Sequence, residues 1–195
     1  MPTVPVISIP LNGGMYGGLD AFLAPQVPTG TAVIGGVSIR NYDSAFKIAK
    51  EILTNEFEGV YVYNVSDKLK KKLAELEINI LGEAKESLKE GLVLGCIREG
   101  YEHITKLSTF DKMGLIRVFT PNKSENLHEA GYFMRECQSL TKSLYVRGDE
   151  NLAFFAAKIM SAYNLKIRDK LYEKQKEKAD SYEKREIVLD EFMEI

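Results

Sequence analysis

The order of apolar runs between residues 31 and 76 constrains this chain more than any other feature. Thr31–Ile34 is a short β-branched run stopped by Gly35 and Gly36, and Val60–Val65 (VYVYNV) is a second run of strand-forming residues. Between them Phe46, Ala49, Ile52 and Leu53 recur at helical spacing. With Asp43 or Ser44 as cap, they predict a helix from about Asp43 to Thr54. After the second run, Ser66 or Asp67 caps a helix over Lys68–Leu76 whose Leu69, Leu73 and Leu76 share one stripe. Strand, helix, strand, helix with short joints predicts an α/β sheet with helices packed on it. Thr31–Ile34 and Val60–Val65 are then expected to be parallel, side by side or one strand apart.

Further along, Leu92–Ile97 shows no alternation of apolar and polar residues, which predicts a strand buried on both faces. Leu115–Phe119, closed by Pro121, and Ser143–Val146, ended by Gly148, read as two more strands, with helical spacing over Glu125–Leu140 between them. Asn151–Leu165 is too apolar for an exposed helix and is expected on the sheet or at an interface. Residues 168–186 mix charges of both signs at helical spacing, with a thin apolar stripe of Leu171, Ala179, Tyr182 and Leu189. The chain therefore divides into an α/β domain over 1–165 and a charged helical tail over 166–195. Before all this, Pro2, Pro5 and Pro10 make residues 1–10 an edge strand or a draped arm.

Composition narrows the function classes. Among 195 residues, 45% are hydrophobic and 28% charged, which is globular, and a net charge of -2 gives no excess to drive nucleic-acid binding. Cys96 and Cys137 lie outside any CxxC motif and read as small buried hydrophobes, and His103 and His128 add too little for a structural zinc site. No basic n-region opens the chain and no apolar run approaches about 20 residues, so a soluble, cytoplasmic protein without a membrane contact is expected. Glu99, Glu102 and Asp111 near His103 read as solvated carboxylates. Lys68, Lys70, Lys71 and Lys72 read first as a solvated helix face and second as a nucleic-acid contact. No Gly-x-Ser-x-Gly, HExxH or paired-Cys motif occurs.

One stretch carries a family likeness. Gly18-Leu19-Asp20-Ala21-Phe22-Leu23 is followed by a Pro28-Thr29-Gly30 turn, the Thr31–Ile34 strand and a loop. EGVYVYNVSDKLKKKLAELEINI then follows as a second strand and helix. Over about residues 13–97 the chain resembles the RecA/KaiC-like ATPases. That resemblance implies a RecA-like, mostly parallel sheet flanked by helices, with a phosphate loop after Thr31–Ile34. The loop reads Gly36-Val37-Ser38-Ile39-Arg40-Asn41-Tyr42-Asp43. A working loop needs glycines whose N–H groups face the phosphates, a lysine for the β and γ phosphates, and a hydroxyl for Mg²⁺. Tyr42 and Asp43 stand in the last two places, and starting at Gly35 puts Asn41 and Tyr42 there instead. A run of four apolar residues ending in Asp is also missing: Leu115–Phe119 leads to Thr120, and Leu144–Val146 reaches Asp149 only across Arg147 and Gly148.

The expectation is an inactivated member of that family, with no catalytic residues, metal or cofactor, serving as a scaffold, regulator or complex subunit. Residual nucleotide or anion contact would fall to Gly35, Gly36, Ser38, Arg40, Asn41 and Tyr42 at the helix N-terminus. The alternative is a small α/β enzyme or ligand-binding protein, its site beyond the strand C-termini and lined by Arg40, Asn41, Tyr42, Ser66 and Asp67. A nucleic-acid-binding accessory factor is a third. Self-association through the C-terminal third is expected, because helix 151–165 and its tail carry more apolar surface than one sheet face needs.

Overall fold

The computed structural model describes residues 6–8, 31–34, 46–47, 50–51, 53–97, 116–121, 144–146 and 148–193. Its frame is a sheet of seven strands: β1 (Val6–Ser8), β2 (Thr31–Ile34), β3 (Val60–Tyr63), β4 (Ile80–Glu83), β5 (Leu92–Ile97), β6 (Ile116–Pro121) and β7 (Leu144–Tyr145). In space they lie in the order β1-β2-β7-β6-β5-β3-β4. Helices α1 (Asp67–Glu75), α2 (Asp149–Met160) and α3 (Leu165–Met193) pack with the sheet in an α/β arrangement. No helix among the described residues is long and apolar enough to cross a membrane.

Five strands, β4, β3, β5, β6 and β7, run parallel to one another. β1 and β2 are parallel to each other, and β2 meets β7 antiparallel, with Val33 opposite Tyr145 and Ile34 opposite Leu144. The expected parallel relation of Thr31–Ile34 to Val60–Val65 is thus corrected: the two run in opposite directions, with β7, β6 and β5 between them. The cause is that a four-residue apolar run specifies burial and not direction, since parallel and antiparallel ladders both satisfy its backbone groups. The neighbour that fixes β2 comes from residues 144–145, beyond the reach of any local pattern.

The core lies between β3, β5 and the three helices. Val60 and Val62 of β3 are buried while Tyr61 and Tyr63 are half-exposed, the period-2 alternation of a strand with one core face. Leu92, Val93 and Leu94 of β5 are all buried, as expected of a central strand covered on both faces. Leu69, Leu73 and Leu76 bring α1 onto this surface. Its end is a Schellman motif: Glu77 N–H donates to Ala74 O at 3.0 Å and Ile78 N–H to Leu73 O at 2.9 Å, with Ile78 buried beside the helix. Glu77 occupies the left-handed position of that motif at φ 58°.

The apolar stretch 151–165 is not one helix. α2 ends at Met160, residues 161–164 turn, and Asn164 Oδ1 accepts the N–H groups of Lys166 and Ile167 to cap α3. Ile167 and Leu171 carry the first turns of α3 into the core, so the tail begins as part of the domain's packing. Residues 46, 47, 50, 51, 53 and 54 are helical as predicted, yet Phe46 (58%) and Leu53 (41%) are exposed, so these two do not face the core. Ala49, Ile52 and the Glu125–Leu140 segment lie outside the described residues.

The left-handed position of Glu77 makes a direct expectation. Glu77→Gly removes a Cβ penalty of about 1 kcal/mol and raises stability by that amount in urea denaturation. Glu77→Ala, which keeps the Cβ and loses the charge, leaves the midpoint near that of the parent.

Candidate functional site

In an open α/β sheet, ligands lie beyond the carboxyl ends of the strands where the connections diverge. Here β3 connects outward to β4, while β5, on the other side of β3, connects toward β6, so the divergence falls between β3 and β5. Four polar groups gather at that edge. Asn64, just past β3, adopts φ 51°, a left-handed conformation that Asn tolerates better than most residues, and its Nδ2 donates to Cys96 O at the end of β5 across 3.4 Å. Ser66 caps α1: its Oγ accepts Leu69 N–H at 3.0 Å. The same hydroxyl donates to Asp149 Oδ2 at 2.7 Å, tying the first turn of α1 to the first turn of α2.

Asp149 reaches this place because Gly148, at φ 82° and ψ 148°, turns the chain sharply between Val146, which is fully buried, and α2. That backbone region belongs almost only to glycine. The Asp149 carboxylate sits in the first turn of α2, where the helix dipole favours negative charge. Chemically the pair is a clamp: the Ser66 proton goes to the carboxylate and an oxygen lone pair to Leu69 N–H, so the hydroxyl is engaged on both sides.

Ser66 is at the carboxyl edge with Asp67 exposed beside it, as the sequence suggests. Gly35, Gly36, Ser38, Arg40, Asn41 and Tyr42 lie outside the described residues. The carboxyl end of the preceding strand β2 is at the opposite edge of the sheet from those of β3, β5, β6 and β7. The direction of β2 thus sets its own carboxyl end apart from Ser66. Asn64 and Asp149 escaped the sequence reading. The signal for Asp149 was an acid directly after glycine at the start of an apolar helix.

Other candidates resolve into surface chemistry. Within the lysine cluster of α1, Lys70 pairs with Asp67 at 3.7 Å and Lys72 with Glu75 at 2.7 Å. A cavity of about 250 Å³ opens between the three helices over Leu76, Ala153 and Phe154, rimmed by Lys72, Glu75, Glu150, Lys174 and Glu177. Its three carboxylates and two ammonium groups largely offset one another. Lys72 and, less, Lys174 lower the pKa of Glu75, and the hydrogen bond to Glu177 raises that of Lys174. Cys96 is buried. Cys137, His103, His128, Glu99, Glu102 and Asp111 lie outside the described residues, and among those described no cluster of His, Cys, Asp and Glu could hold a metal ion.

Lys158 is the one buried cation among the described residues. It is 1% exposed within α2, and no hydrogen bond or ion pair of its ammonium is recorded among them. Burial lowers its pKa from the ordinary 10.5. The unfolded chain therefore binds the proton more tightly, and between the lowered value and 10.5 folding releases it. The resulting penalty is fully present below the lowered value and fades as pH rises toward 10.5. Lys158→Met removes it. The variant is expected to be more stable at neutral pH by about 1–3 kcal/mol, with the gap to the parent narrowing as denaturation is repeated at rising pH.

Ser66→Ala tests the clamp. It removes a cap and the partner of Asp149, and costs about 1–2 kcal/mol in thermal or urea unfolding, while Ser66→Thr, which keeps a capping hydroxyl, retains most of the parent's stability. No family model, no curated protein and no solved structure matches the chain.

Proposed function

We propose that this chain is a non-catalytic, RecA/KaiC-like α/β protein that works through its protein surfaces, as a scaffold, regulator or subunit of a complex. The observation that carries the non-catalytic half is chemical. Tyr42 and Asp43 stand where a phosphate loop needs lysine and a hydroxyl, and an aspartate at the loop mouth repels phosphate. The direction of β2 agrees with that half, because the strand before the loop ends away from the edge where Ser66 and Asp149 meet. The same direction weighs against a RecA-like core, so the family half stands on the sequence phrases Gly18–Leu23, Pro28–Gly30 and Val60–Val65 alone.

A second reading has one observation in its favour. Ser66 meets Asp149, and Asn64 reaches Cys96 O, at the sheet edge where open α/β sheets take ligands, which suits a small ligand-binding protein or enzyme with its site between β3 and β5. One experiment separates the two. With Mg²⁺ and ATP, the purified chain is expected to release phosphate no faster than buffer and to keep its melting temperature. Steady-state hydrolysis abolished by Arg40→Ala would overturn the first reading. A nucleotide-dependent rise in melting temperature, lost in Asp149→Asn, would transfer support to the second.

A further inference from the structure

Five of the seven large hydrophobic side chains exposed among the described residues are Phe46, Leu53, Tyr163, Leu165 and Tyr172. They are not scattered. Phe46 and Leu53, both helical, are seven residues apart, and Leu165 and Tyr172 are seven apart in α3, where that spacing sets them on one helix face. Tyr163 joins the two runs, its hydroxyl donating to Leu53 O at 3.1 Å. With three aromatics and two leucines about half exposed, the apolar area on view is on the order of 400–500 Å². Monomeric proteins seldom leave a patch of that size without a role, and with a polar rim it approaches the roughly 800 Å² per partner of a stable interface.

The charges on the same face point to the occupant. Between Leu165 and Tyr172, three and four residues after Leu165, stand Arg168, half-buried, and Asp169, exposed. The later charges of α3 are satisfied along the helix, Lys170 with Glu173 and Lys174 with Glu177. Arg168 and Asp169 are adjacent in sequence and do not face each other, and neither has an ion pair among the described residues. The face Leu165, Arg168, Asp169, Tyr172 reads the same in chemical character from either end: apolar, charged, oppositely charged, apolar. Such a face complements its own antiparallel copy.

We infer that α3 is the contact of a two-fold homodimer, the axis passing between Arg168 and Asp169. In that arrangement Leu165 packs on Tyr172 of the partner subunit and Tyr172 on the partner's Leu165. Arg168 pairs with the partner's Asp169, and Asp169 with the partner's Arg168. The shoulder of Leu53 and Tyr163 extends the apolar contact at each end. An isologous interface of this kind closes on itself and stops at two copies. The inference rests on the reading above that the chain works through its protein surfaces, and on nothing about the loop after β2.

Sedimentation equilibrium on the full chain tests it with two charge reversals. R168E and D169R each set like charges against each other twice, and each is expected to weaken the dimer about ten-fold or more. Mixed in equal amounts, the two variants restore both opposite-charge pairs, so dimer should return as a heterodimer even though neither variant forms it alone. That rescue also shows that both variants are folded. If the parent dimerises and the single variants dimerise equally well, or if the mixture stays monomeric, this surface is wrong while self-association by another face survives. A parent chain that is monomeric at every concentration overturns both.

Discussion

Burial of α2 on nearly every side is the constraint on which the other elements depend. Leu152, Ala153, Phe155, Ala156 and Ala157 are fully buried, and Ile159 and Met160 almost so, a set too wide to be a single stripe. A helix of this kind must be walled in by several elements at once. β2 and β6 lie against it from the sheet, α1 from one side and α3 from another. Its alanines let α1 and α3 approach closely, while Phe155 and Leu152 each contribute about 1.5–3 kcal/mol of apolar burial. The Ser66–Asp149 clamp and the Asn164 cap fix the two ends, so the angle of the polypeptide entering and leaving α2 is set by hydrogen bonds and its depth by packing.

Much of this was legible in residues 57–97 because the signals there are local. Apolar alternation marks β3, an unbroken apolar run marks β5, and Ser66 with the Leu69–Leu73 spacing marks α1. Strand β4 was missed, since ILGE neither alternates nor runs apolar and is mostly exposed. The α2–α3 break was missed too, because Asn164 is hidden inside a stretch whose periodicity continues through it.

The candidate site was half legible for the same reason. A cap such as Ser66 is written in four neighbouring residues, whereas its partner Asp149 lies 83 residues away and no pattern connects them. The direction of β2 is the extreme case: its pairing with β7 is decided by tertiary placement, and a strand of four residues has too little sequence to announce it. Family phrases in the N-terminal third therefore speak of local shape more than of how strands are ordered.

β4 closes one border of the sheet, and there the ladder is irregular: Val60 pairs with Ile80 but Tyr61 with Gly82, so Leu81 is an extra residue that bulges from the pairing. Ile80 and Leu81 are exposed, and a straight border carrying two aliphatic side chains would be a template for foreign strands. The bulge spoils the even spacing of free N–H and C=O groups that a docking strand must match. Glu83, Lys85 and Glu86 follow at once, bringing charge to the same border. Bulge and charge together make this border a poor template for the strand-by-strand growth of fibres.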